Sequence, residues 1–128
     1  MVLPQRHRLR GRGVFDYLYQ RGQRFQQGLL QLRVADAAPQ LLREQPVELE
    51  GELRFGVVIS SKVSKRAVRR NKLRRLLHNH LTQLVRTLPD QAADRWLLIS
   101  LKPGSAEASA EALLGECSQL LAKAGLRP

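Results

Sequence analysis

The chain has 128 residues, 43% of them hydrophobic, a formal net charge of +11 and a single cysteine, Cys117. This length suits one hydrophobic core and is short for two, so a single domain over residues 1–128 is expected. No apolar run approaches the roughly 20 residues of a membrane span, residues 1–6 lack the apolar stretch of a secretory signal, and one cysteine excludes an internal disulfide; together these point to the cytoplasm.

Residues 11–20 read as a short helix, with Val14, Phe15, Leu18 and Tyr19 on one side and Arg21-Gly22 ending it. A short strand over residues 24–27 precedes an alternating stretch, residues 29–34. That alternation puts Leu30, Leu32 and Val34 on one face and Leu29, Gln31 and Arg33 on the other. Pro39, Pro46 and scattered acids make residues 36–52 an expected flexible connection. Residues 55–60, Phe-Gly-Val-Val-Ile-Ser, suit a central strand. Ser64 is the candidate N-cap of the next helix, in which Leu73, Leu76, Leu77, Leu81, Leu84 and Leu88 recur at three- and four-residue steps until Pro89. Residues 96–101 form a last buried strand and residues 102–104 a turn. Ser105 is the expected cap of a final helix with Ala106, Ala110, Leu113, Leu114, Cys117, Leu120, Leu121 and Ala124 as its apolar face and Gly125 as its stop. In that face Cys117 reads as a small core residue, with no Lys, Arg or His close by in sequence to activate it.

The order helix, two or three strands, basic helix, strand, helix makes an α+β sandwich, with helices against one sheet, the economical fold. If residues 55–60 and 96–101 are parallel neighbours, the basic helix is their crossover, and the general rule for such crossovers gives a right hand.

The charge is segregated. Residues 1–33 hold seven Arg and one Asp, and residues 53–89 hold ten Lys and Arg with no acid, eight of them within residues 62–75. Residues 34–52 hold one Arg against five acids, and residues 90–128 hold four basic residues against five acidic ones. A chain made basic for solubility alone would not need that division. Like charges packed this closely repel one another and call for a polyanion. Arginine predominates, and its planar fork makes paired bonds to phosphate oxygens. An anionic membrane fits less well, because the core needs the leucines that a surface helix would lay on lipid. DNA fits less well too, since strands flank the basic helix where a helix-turn-helix would have a second short helix. RNA is favoured: its readers combine a sheet face, exposed aromatics and phosphate-directed arginines. Phe15 and Tyr19, one helical turn apart, fit either base stacking or packing of the first helix, with Gln31 and Arg33 on the polar strand face. His7, His78 and His80 have no cysteine or carboxylate partners at metal-ligand spacing, and Asp90 and Asp94 have no second acidic pair nearby. No metal or nuclease site is therefore expected in the protein alone.

Leu9-Arg10, then Phe15-Asp-Tyr-Leu-Tyr19-Gln-Arg-Gly22, Phe55-Gly-Val-Val-Ile-Ser-Ser-Lys62 and Ala67-Val-Arg-Arg-Asn-Lys-Leu-Arg-Arg75 closely resemble the bacterial ribonuclease P protein family over nearly the whole chain. The most specific part is Arg70-Asn71-Lys72, which matches an Arg-Asn-Arg box. The resemblance implies an α-β-β-β-α-β-α fold with a small mixed sheet and a left-handed βαβ crossover. It also implies a protein that binds a catalytic RNA and the 5′ leader of precursor tRNA, in an endoribonuclease whose chemistry belongs to the RNA and its Mg²⁺ ions. By position, Phe15, Tyr19, Lys62, Arg70, Asn71 and Arg74 match residues on the leader side, and Arg33 lies about where some relatives carry an aromatic on the sheet face. Arg66, Arg69, Lys72 and Arg75 fall to the catalytic-RNA side. Three positions depart from the family pattern. Lys72 keeps the charge of an arginine without its fork, Ser61 replaces one lysine of a frequent pair, and His78 stands where an arginine is common. A non-catalytic RNA-binding module such as a ribosomal protein would share the size, charge and design, and is the alternative reading.

Overall fold

Among the described residues, segments of β-branched and leucine-rich sequence, separated by a glycine turn and by helical leucine repeats, form four strands and three α-helices. In a computed structural model, which describes residues 12–36, 54–85 and 95–125, the strands are β1 (Gln23–Gln27), β2 (Leu30–Asp36), β3 (Arg54–Val58) and β4 (Arg95–Leu101). The helices are α1 (Arg12–Arg21), α2 (Ala67–Val85) and α3 (Ala110–Lys123). The chain order is α-β-β-β-α-β-α, as the resemblance implies.

The sheet order is β1-β2-β4-β3. β1 and β4 are antiparallel to β2, and β3 is parallel to β4, so α2 is the crossover between parallel neighbours. Because strand side chains alternate and directly paired residues share a face, the register sorts the sheet into two sides. Leu30, Leu32 and Val34 pair with Leu101, Ile99 and Leu97, and Phe55 with Leu97; this side is buried beneath Leu77 and Leu81 of α2 and Leu113, Cys117 and Leu120 of α3. The opposite side carries Ala35, Trp96 and Leu98, covered by Val14 and Leu18 of α1. The helices thus lie on both faces of a single sheet.

Close contacts fix the layers. The N–H of Gly22 donates to the Leu18 carbonyl at 2.9 Å, and a side chain at Gly22 would press on that carbonyl and on Cβ of Arg33. Glycine is therefore what lets α1 turn directly into β1 against β2. From the other side, Glu116 of α3 accepts from the Leu29 N–H at 2.9 Å, and Lys123 donates to the Gln26 carbonyl at 3.0 Å.

Several boundaries differ from the sequence reading. Ser64 does not cap α2: its hydroxyl accepts from the Arg66 N–H at 3.3 Å, and the helix begins at Ala67. Ser105 opens a short 3-10 turn (Ser105–Glu107), its hydroxyl donating to the Lys102 carbonyl at 2.6 Å. Ser109 is the true cap of α3, accepting from the Ala112 N–H at 3.1 Å. Ala106 is buried in that turn, ahead of the helix, and Ala110 is exposed. Both serines offered the same local hydrogen bonds, and the turn at Gly104, with φ of 101°, decides between them. Gly125 ends α3 with φ of 76°, as expected. Leu88, Pro89, Asp90, Asp94, His7 and all of the 36–52 connection except Asp36 lie outside the described residues.

Candidate nucleic-acid interface

The α1 side of the sheet is only partly roofed. Register places Arg24 and Gln26 of β1, Gln31 and Arg33 of β2, Ser100 of β4 and Val58 of β3 on this side. Tyr19 stands over it, 46% exposed, and the Arg33 guanidinium lies 4.5 Å from the centre of its ring. Arg33 also donates through Nη1 to Oε1 of Gln31 at 2.9 Å, so the fork is held flat between an aromatic face and an amide. Phe15 is half-buried and packs on the Val14–Leu18–Trp96 cluster, which gives it the packing role more than the stacking one. Ser100 Oγ is buried among these groups without a protein hydrogen-bond partner.

Tyr17 sets the height of α1. Its hydroxyl donates to the Asp36 carbonyl at 2.7 Å, and its ring meets Trp96 edge-on with centroids 5.9 Å apart. Sequence periodicity placed Tyr17 off the apolar side; only the register that brings Asp36 beside Arg95 and Ala35 beside Trp96 reveals its partners.

The second surface is the β3–α2 connection and α2 itself. Leu77 and Leu81 are fully buried, Leu73 and Leu84 are partly buried, and the basic residues fan out from that stripe. Lys62, Lys65, Arg66, Asn71, Lys72 and Arg75 are exposed. Three other guanidinium groups are held by the protein. Arg69 donates to the Ala106 carbonyl, Arg70 to the Ser64 carbonyl at 2.8 Å, and Arg74 to Oδ1 of Asn71 at 2.8 Å. Among the described residues, none of the eight basic side chains of residues 62–75 has an ion-pair partner. His78 is buried at 6% exposure, so it is not a surface counterpart of the arginine common at that position.

Two further titratable groups, Cys117 and His80, are shifted by burial. Burial pushes the Cys117 thiol up to about 12 and holds the His80 imidazole, 3.2 Å from Ser118 Oγ, below its ordinary value. Among the described residues no group of three or more His, Cys, Asp or Glu is placed to hold a metal ion. The α2 surface offers cations and the Asn71 amide, a donor set that does not fit magnesium, which takes hard oxygen ligands.

A small α+β domain with an arginine-bearing sheet cleft beside an acid-free basic helix is built as an RNA-binding protein. A model of the Ribonuclease P family matches residues 3–125. The ribonuclease P protein component of Synechococcus sp. strain RCC307 is 70% identical over 126 residues, covering 98% of each chain. That of Prochlorococcus marinus strain MIT 9313 is 49% identical over 127 residues with the same coverage. Among solved structures, the RNase P protein of Staphylococcus aureus superposes with a TM-score of 0.77 at 13% identity, covering 95% of this chain and 98% of that one. The RNase P protein of Thermotoga maritima gives 0.71 at 18% identity, covering 91% and 96%. The chain belongs to the ribonuclease P protein family, the protein component of a tRNA-processing endoribonuclease.

Proposed function

We propose that this protein binds the ribonuclease P catalytic RNA through one part of its basic surface and the single-stranded 5′ leader of precursor tRNA through another. The leader lies in the cleft between α1 and the sheet, against Tyr19, Arg33 and the edge of Phe15, and continues past Lys62, Arg70, Asn71 and Arg74. Arg66, Lys72 and Arg75 face the catalytic RNA, with Arg69 beside them. The observation that carries this reading is the absence of any carboxylate partner for the basic residues of 62–75 among the described residues. Unneutralised guanidinium groups on a helix whose leucines are already buried are available to phosphates. The Arg33–Tyr19 stack on a polar sheet face supports the leader cleft.

Hydrolysis of the leader-to-tRNA phosphodiester falls to the RNA subunit, with Mg²⁺ bound mainly by that RNA. The protein's part is affinity and placement, exercised in the cytoplasm. Reconstitution tests this. With the cognate RNA subunit at low Mg²⁺, the protein should restore 5′ trimming that the RNA alone does not perform, and the protein alone should cut nothing. Equal trimming with and without the protein at every Mg²⁺ concentration would refute the proposal.

A further inference from the structure

β1 and β2 are antiparallel with Arg24 directly opposite Arg33, so two arginines share the α1 side of the sheet as cross-strand neighbours. Side chains opposed in this way have Cβ atoms about 5 Å apart, and like charges there are destabilising. Arg24 is exposed, and among the described residues neither arginine has a carboxylate partner. Asp36 pairs with Arg95 at 3.4 Å, and Glu116 approaches the hairpin from the opposite side to bond the Leu29 N–H. Arg33 is held by Tyr19 and Gln31 but keeps its charge and further N–H donors. The next pair on the same side, Gln26 opposite Gln31, is neutral and can hydrogen-bond in both senses.

An opposed arginine pair with no acid between costs stability unless an anion bridges it, and a bridging phosphate turns the repulsion into two charge-assisted contacts. We propose that Arg24 and Arg33 together hold one phosphodiester of the 5′ leader where it crosses the β1–β2 hairpin, which makes Arg24 a leader-binding residue. The inference rests on the cleft being the leader site. It extends that cleft to the edge strand and leaves Gln26 and Gln31 to face the neighbouring sugar or base.

The test is Arg24→Gln in the reconstituted holoenzyme, with leader-bearing and leaderless tRNA titrated over a salt series and the free protein melted in parallel. Affinity for the leader-bearing substrate should fall about tenfold or more. Its log-log salt slope should become shallower by about 0.7, as for one single-strand phosphate contact. Leaderless tRNA should bind as before, and the melting temperature should stay level or rise by up to about 4 °C once the cross-strand repulsion is gone. Arg24→Lys should retain most of the affinity. Unchanged binding of the leader-bearing substrate overturns the proposal, as does an equal loss on both substrates. A wild-type holoenzyme that does not distinguish the two substrates would instead overturn the leader reading itself.

Discussion

Gly28→Ala strikes the joint that holds β1, an edge strand of the sheet. Gly28 has φ of 57° in the two-residue link between β1 and β2, and a methyl group there would overlap the Glu116 carboxylate. An alanine in that left-handed conformation costs about 1 kcal/mol. The carboxylate ends a flexible side chain and swings aside, but the part-buried Leu29 N–H then loses the charged acceptor it meets at 2.9 Å, a loss of about 1.5–3 kcal/mol. Together these give about 2.5–4 kcal/mol, or a fall in melting temperature of roughly 9–15 °C for a chain of this length. Thermal or urea unfolding followed by circular dichroism measures it. Glu116→Ala alone should cost only the hydrogen-bond part, and the double variant should be no less stable than Gly28→Ala, because both single changes break the same bond. Fully additive losses, or a Gly28→Ala protein as stable as the parent, would mean that Gly28 does not protect the Glu116–Leu29 bond.

Other consequences follow from the core. Leu77→Ala, at a fully buried site between α2 and the sheet, should cost roughly 2–5 kcal/mol in urea unfolding. Burial lowers the His80 pKa from 6.5, so the unfolded chain takes up that proton first. This contribution to stability is therefore full above about pH 6.5 and is lost as pH falls through that value towards the folded pKa. His80→Gln should flatten the acid limb of a stability–pH curve. Cys117, buried with its thiol pushed up to about 12, should resist alkylation at pH 8 until the protein is unfolded.

Local periodicity carried much of the fold. The leucine steps of α2, the alternation of β2 and the apolar run of β4 each report their own burial, so Leu77, Leu32 and Leu98 were legible as core residues before any contact was known. The element order, and the basic helix as the crossover between parallel strands, were legible in the same way, while the family resemblance fixed the number of strands ahead of that helix at three. Three features were out of reach because they depend on strand register or on side-chain contacts that local periodicity does not encode. Tyr17 sits off the apolar stripe of α1 and finds Asp36 and Trp96 only once β2 and β4 pair. Arg24 becomes an arginine pair only when β1 folds back on β2. The basic helix reads from sequence as one uniform surface, whereas Arg69 and Arg70 each spend a donor on a backbone carbonyl, at Ala106 and Ser64. Loss of either arginine therefore combines a lost cation with a loosened connection, unlike loss of Lys72 or Arg75.

Leader binding by the protein is measured by the affinity of the reconstituted ribonucleoprotein for precursor tRNA as its 5′ leader is lengthened one nucleotide at a time from none. Affinity should rise over the first several leader nucleotides, only when the protein is present, and with a gain that shrinks steeply as salt is raised. Equal affinity for precursor and mature tRNA in the presence of the protein would contradict leader binding.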